Sequence, residues 1–474
     1  MREKFKSTLL VFLILSSMAL TYWLWFGRLP LEEGTAPRYE YAYFTPPPSL
    51  PEIVQPVEIV FFGEEQVHLF RRGEDEHRRL WAKGWQILAR ELDPEKMKRS
   101  SSDDLEAAWE TASFKLVYSF DPSFPLEFIS GRLAVLGMNT RKITFLWGKD
   151  SWAVFTEGEE ILSLTLPGDA GLPDELLPAR TNPCIQLPPV LALSVAGEFA
   201  GETGDGDFQP AAEAPAPGEL HPVSAASTDN VGSEPVENWE VKVSKEIFVE
   251  EDDLLAAEIS LEKENIQRDE LVKAFFLDLS MARRIEEKDG AFYFTNGEKG
   301  LRIYASGLVE FTAPRLESSL RQQMPYGLAL QKGAESQSLY GGYLPDTYLC
   351  DARGTRNGYR FLWRRITGGL VWEGENTGCE ILLDEQGVSF YQRNFLAAGE
   401  ETATRWPFRS YEEALCQALS LHREHLPEKK ATLLSLRPVY YLSEEKNEQA
   451  IPAWAVNFAE TGVIYLHWST LEPL

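Results

Sequence analysis

The sequence predicts an α+β protein: a single N-terminal transmembrane helix followed by a multidomain ectodomain of antiparallel sheets, built as β-meanders with flanking helices. Three observations carry that reading. Residues 8–26, TLLVFLILSSMALTYWLWF, hold no charge in 19 positions, and as a helix they span roughly 28 Å, the hydrocarbon thickness of a bilayer. Short aromatic and β-branched runs (AFYFT, LRIYA, LVEFT) alternate with Asp289-Gly290, Asn296-Gly297 and Ser306-Gly307, turn pairs that supply the positive φ of tight hairpins. Elsewhere the apolar period is helical: Trp81, Trp85, Leu88 and Leu92 recur at i, i+4, i+7 and i+11, one stripe of an amphipathic helix.

Taken in order, residues 1–7 form a cytoplasmic N-terminus and 8–27 the membrane span. Arg2, Lys4 and Lys6 precede the span, while Tyr22, Trp23, Trp25 and Phe26 crowd its far end, where amphipathic rings settle at the headgroup level. A short basic N-terminus stays in the cytoplasm and a long domain translocates whatever its charge, so the chain beyond Arg28 is expected outside the cell membrane. The rival is a cleaved signal peptide with Thr8 to Leu15 as its apolar region and Ser17-Met18-Ala19 as the cleavage site. Against it, the apolar run continues for seven residues past Ala19. No Cys directly follows the span, so lipoprotein processing is not expected. On one face of the span lie Phe12, Ser16, Ala19 and Trp23; the two small residues let a neighbouring helix approach closely, or are simply tolerated against lipid.

Residues 28–55 read as an extended linker carrying PPPSLP at 46–51, stiffened by proline. A first α+β domain covers 56–195. Its strands are expected at Val57 to Phe62, Val67 to Arg71, and near 142–147, 151–156 and 160–166. Between them Phe114, Leu116, Tyr118 and Phe120 alternate as a half-buried strand. Its helices are the tryptophan stripe, closed by Asp93-Pro94, then Asp103 to Thr111 and a third near 126–136. Residues 196–238 are rich in Gly, Pro, Ala, Ser and acid; they bury too little apolar area to offset chain entropy and are expected to be disordered. Asp205-Gly206-Asp207 lacks the further ligands and the closing Glu of a calcium loop.

A second module, 239–330, opens with a helix at Leu271 to Leu279 before the meander. After a looser stretch at 315–340, a third α+β module (331–474) has strands near 358–366, 379–384 and 387–393. Ser410-Tyr411-Glu412-Glu413 is a capping box that starts a helix carrying Leu415, Leu419 and His422. Terminal strands follow near 436–442, 453–458 and 463–467.

The 474 residues carry a formal charge of −27, which opposes nucleic acid and anionic surfaces at long range. The four Cys, at 184, 350, 379 and 416, are too scattered for a disulfide scaffold. They are expected as buried free thiols, with one bridge among the last three as the alternative. No G-x-S-x-G elbow, H-E-x-x-H or Walker loop is present. His422 and His425 have a helical metal spacing with Cys416 nearby, but no third ligand is placed, and the plainer reading is a solvated helix end. Glu250-Glu251-Asp252-Asp253 is a solvated acidic run. The expectation is a non-enzyme with no cofactor, metal or catalytic site.

Three stretches together resemble the YycH family, accessory proteins of the WalK/WalR two-component system: the MREKFKSTLLVFLILSS anchor, FLDLSMARRIEEKDGAFYFTNGEKGLRIYASGLVEFT at 276–312, and PVYYL followed by IPAWAV and a last strand. Ala455 stands where the family tends to carry Arg, and Gly369-Leu370-Val371 lacks the family's Pro. The resemblance implies a membrane-anchored regulator in contact with a WalK-like sensor histidine kinase and with a YycI-like or YycH-like sibling. The alternatives are a wall-polymer or ligand-binding module, which needs an aromatic-lined groove, and an anchored hydrolase, which needs a base beside a nucleophile or metal.

Overall fold

The alternation at Phe114 to Phe120 does form a strand, Phe114–Pro125, the third of seven in an antiparallel sheet. The computed structural model describes residue 16 and residues 43–63, 66–166, 183–195, 237–244, 246–250, 254–265, 267–276, 282–314, 324–344, 346–402, 405–426, 431–443 and 449–474. Ser16 is helical, but the rest of the expected span, with Phe12, Ala19 and Trp23, lies outside the described residues. Among those described, no helix is long and apolar enough to cross a membrane. Residues 196–236 and the Asp205-Gly206-Asp207 stretch also lie outside.

In spatial order the first sheet runs Val67–Arg71, Glu58–Phe62, Phe114–Pro125, Asn139–Trp147, Ser151–Glu157, Glu160–Leu166, Met97–Arg99. The tryptophan stripe is the Asp75–Glu91 helix, which buries Leu80, Trp81, Gly84 and Leu88. Trp81 packs 5.5 Å from Tyr118 and 5.4 Å from Phe120, ring to ring. The Ser102–Thr111 helix starts at a capping box formed by Ser101 and Asp104. Residues 126–136 depart from expectation: they form two 3₁₀ turns, Leu126–Phe128 and Gly131–Leu136. Gly131 and the left-handed Gly137 (φ 60°) interrupt the run, and no stretch between them is long enough to propagate an α-helix.

The meander strands Arg283–Glu286, Phe292–Thr295, Gly300–Ile303 and Leu308–Thr312 follow the Arg268–Phe275 helix. Gly290, Gly297 and Gly307 sit at φ 81°, 92° and 101°, the conformations their turns require. The sheet continues through Gly387–Asn394, Gly378–Asp384 and Gly358–Thr367. Its partner along one face is a helix the sequence did not betray, Tyr326–Leu339, inside the stretch read as loose. Its buried face is built largely from small and polar residues, Gly327, Ala329, Gly333, Ala334, Gln337 and Ser338, while Leu328 on the other side is exposed, so the sequence shows no apolar stripe. Gly333 makes the contact possible, because a Cβ there would stand 3.0 Å from Trp363 and 3.1 Å from Phe361.

The remaining strands close a circuit. From Gly387–Asn394 pairing passes through Gly378–Asp384, Gly358–Thr367, Leu370–Gly374, Thr432–Leu442, Gln449–Phe458 and Ile259–Lys263 to Leu396–Glu401. That last strand is the continuation of the first beyond Phe395. The Tyr411–His425 helix, capped by Ser410 and Glu413 as expected, packs Leu415 and Leu419 against this half. Val190–Val195 joins the same sheet by pairing antiparallel with Glu237–Val243, so strands flanking 196–236 are hydrogen-bonded neighbours. The result is a sheet-rich α+β structure with few helices, and residues 43–474 form one unit.

Within that unit, residues 43–55 are seated rather than free, which corrects the linker reading for its second half. Ile53 and Val54 are buried, the Phe44 amide donates to the Ser338 carbonyl at 2.9 Å, and the Tyr343 hydroxyl donates to the Glu52 carbonyl at 3.0 Å. Proline stiffness here serves packing.

Candidate functional site

The N-terminal sheet meets the larger one along a seam rich in arginine. Arg71 and Arg72 end the Val67–Arg71 strand and enter the turn at Gly73. Arg72 is 5% exposed; it donates to the Thr347 carbonyl and lies 5.6 Å from the Tyr348 ring centre. Desolvation lowers its pKa to about 10. Arg71 pairs with Glu250 at 3.0 Å, Arg78 with Asp346 at 3.3 Å, and Lys142 with Glu246 at 2.7 Å. The Tyr326 hydroxyl donates to the Ser123 carbonyl at 3.2 Å. Glu250, read as part of a solvated acidic run, is thus a seam residue.

Deeper lies an ionic knot. Glu373 sits in the strand Leu370–Gly374 and is 3% exposed. It pairs with Arg364 at 2.8 Å and with Arg437, and accepts from the Tyr465 hydroxyl at 2.5 Å. Burial alone would raise its pKa, but Arg437 and Arg364 outweigh it and hold the carboxyl below its ordinary value. A second knot joins Glu264 to Arg365 and, at 3.4 Å, to Arg393, which is 2% exposed. In both, each carboxylate is already engaged by two guanidinium groups, an arrangement that fixes strands rather than one that holds a reactive acid or base.

The thiols are equally quiet. All four Cys are free, and burial pushes Cys350 and Cys379 up to about 12, far from thiolate reactivity. Among the described residues no group of three His, Cys, Asp or Glu side chains is placed to hold a metal ion. His422 is not at a solvated helix end: it is 1% exposed, with its Nδ1 2.9 Å from the Thr461 hydroxyl and its ring 4.9 Å from Phe458. The side chain of His425 lies outside the described residues. A cleft of 770 Å³ opens beside Ser306, Asn376 and Asn394, and no aromatic residue lines it.

Against known proteins, residues 3–130 match the family described as YycH protein, N-terminal domain. That match covers about a quarter of the chain, and it is the N-terminal part that is similar to the YycH family. The crystal structure of YycH from Bacillus subtilis superposes with a TM-score of 0.56 at 11% identity, covering 89% of this chain and 98% of that one. The likeness of fold therefore extends well past the matched N-terminal part. A protein from Eubacterium rectale (13% identity, 50% of this chain and 90% of that one, TM-score 0.35) and the YpeB C-terminal domain of Bacillus megaterium (10%, 44% and 95%, 0.28) are more distant. No curated protein sequence matches.

Sequence pattern alone does not single out the seam. Glu373 closes the apolar run LVWEG, and Arg437 interrupts TLLSLRPVYYL, whereas Arg364 and Arg393 lie in the more polar strands GYRFLWRRIT and GVSFYQRN. Charges at inward positions of strands mark mutual pairing.

Proposed function

We propose that this chain is a YycH-like, membrane-anchored, extracytoplasmic regulator of a WalK-like (YycG) sensor histidine kinase in a cell-wall-related two-component system. The observation that supports it most is the family match at residues 3–130, which takes in the basic flank, the apolar stretch and much of the first sheet. In this reading residues 1–7 are cytoplasmic, 8–27 cross the membrane, and the two-sheet unit stands outside. Contacts to the kinase run through the span and the folded unit, with a YycI-like or YycH-like sibling in the same assembly. A protein partner shifts a kinase only as far as it binds one signalling state better than the other. The family likeness, and side chains engaged in structural pairing at the seam, favour a binding role over an enzymatic one.

Crosslinking in native membranes, followed by identification of what is captured, tests this directly. The kinase should be recovered, and deletion of the chain should change kinase-dependent transcription. Capture without the kinase, together with unchanged transcription, would overturn the proposal.

A further inference from the structure

Strand alternation gives the first sheet two faces. Ala153 and Phe155 point into the core, so their neighbours Trp152 and Val154 belong to the opposite face. Part of that outer face is covered, where Val60, Leu69 and Val117 pack under Cys184, Phe248 and Trp109. The rest is bridged by the Ser102–Thr111 helix, none of whose residues is buried. The helix is held by its capping box at one end and by Trp109 at the other, 5.1 Å from Phe62. It stands off the sheet and leaves a cleft of 510 Å³ lined by Trp152, Val154, Leu105 and Ala108.

The lip of this cleft is unusual for so acidic a chain. Lys98, Arg99 and Lys149 line it, and among the described residues none of their side chains has an ion pair or hydrogen bond. Of the two carboxylates nearby, Asp104 is occupied by the Ser101 amide (3.1 Å) and hydroxyl (2.8 Å); Asp150 remains. Cations lining the same cleft as a half-buried indole make a pocket with an apolar ring platform and an anion-attracting edge.

We propose that this cleft binds an anionic saccharide, its sugar ring against Trp152 and its phosphate or carboxylate at Lys98, Arg99 and Lys149. A long polyanion such as nucleic acid would meet the −27 charge of the whole chain, whereas a short ligand with one or a few anionic groups meets mainly the cations within a Debye length. An amphipathic peptide helix would need a longer apolar stripe than Trp152 and Val154 supply. The inference is independent of the kinase reading, since it concerns a different surface and its test involves no kinase.

The test is calorimetric titration of the full-length protein in detergent with N-acetylglucosamine 1-phosphate, N-acetylglucosamine and inorganic phosphate, and with a glycan oligomer carrying one phosphate per sugar. The sugar phosphate should bind at least about tenfold more tightly than the neutral sugar. Both Trp152→Leu and the surface double variant Lys98→Gln/Lys149→Gln should lose about tenfold or more. Tighter binding of the oligomer than of the monomer identifies a polymer as the source; equal binding identifies a free sugar phosphate. Three results overturn the proposal: no binding by any saccharide up to about 10 mM, inorganic phosphate binding as well as the sugar phosphate, or an acidic peptide binding more tightly than either. The double variant should melt with the parent, which separates lost binding from lost folding.

Discussion

Arg71 and Glu250 meet at 3.0 Å across the seam, and Glu74 is the second carboxylate beside that one guanidinium. Burial first, then the nearby Glu250 charge, push Glu74 up to about 7, against the opposing pull of Arg71; Glu76 adds a smaller push. Three residues on, His77 is wholly buried and moves the other way, to about 3, through desolvation and then the Arg72 charge. Its Nε2 lies 3.0 Å from the Pro56 carbonyl, a partner for the neutral ring.

The two shifts make opposite demands on stability. For Glu74 the folded state binds the proton more tightly, so stability falls as pH rises from the ordinary 4.5 to about 7. For His77 the unfolded state binds it more tightly, so stability rises with pH between about 3 and the ordinary 6.5. Where the windows overlap they offset one another. Glu74→Gln should therefore unmask a rising pH dependence in that overlap, and at pH 8 it should be more stable than the parent by about 2 kcal/mol. Urea denaturation at several pH values measures both; parallel curves for variant and parent would contradict the assignment.

Gly84 is where a side chain has no room. A Cβ there would run into the Tyr118 hydroxyl, which donates to the Leu80 carbonyl at 3.1 Å in a buried position. In an exposed helix Gly→Ala stabilises by about 1 kcal/mol, but here overpacking should reverse the sign. Gly84→Ala is expected to cost about 1–3 kcal/mol, while Gly84→Ala in a Tyr118→Phe background should cost less, because the clashing oxygen is gone. A double-mutant cycle by denaturation reads the difference.

The Glu373 knot should behave as a unit. Glu373→Gln leaves the guanidinium groups of Arg364 and Arg437 without their carboxylate and should destabilise by about 3 kcal/mol. Arg437→Gln should cost less, about 1 kcal/mol, because that side chain is 38% exposed and water takes over part of its role. With a lowered folded pKa, the contribution of Glu373 is present above its ordinary 4.5 and lost as pH falls through the folded value. Equal costs for both variants at neutral pH would contradict this division.

What was legible in the sequence follows from how each element is exposed. The Asp75–Glu91 helix and the meander each have one buried side, so period and turn residues reveal them. Tyr326–Leu339 buries a face of glycine, alanine, Gln337 and Ser338 while exposing Leu328, so no apolar period announces it. Residues 126–136 carry apolar spacing compatible with a helix, but their glycines break the run into 3₁₀ turns. Pairings between strands far apart, such as Ile259–Lys263 with Leu396–Glu401, depend on tertiary closure that no local pattern records. The Glu373 knot was not legible: its partner Arg437 lies 64 residues away, and only the folded chain joins them.

The span itself gives the last prediction. Phe12, Ser16, Ala19 and Trp23 share one face if 8–27 is a continuous helix, and Ser16 is helical. In hydrocarbon, helices gain nothing from hiding apolar surface from lipid, so association depends on close packing at small residues. Replacing Ser16 and Ala19 by Leu would fill that face without changing hydrophobic length. If the face meets the kinase's transmembrane helices, the double variant should insert normally, lose co-purification with the kinase, and alter kinase-dependent transcription in the same direction as deletion of the whole chain. Substitution on the opposite face, Ile14→Leu with Thr21→Val, should change neither. If the Ser16 and Ala19 variant retains both output and capture, and a wholesale exchange of 8–27 for an unrelated span does too, the contact runs through the folded unit and the helix serves only to hold it at the membrane.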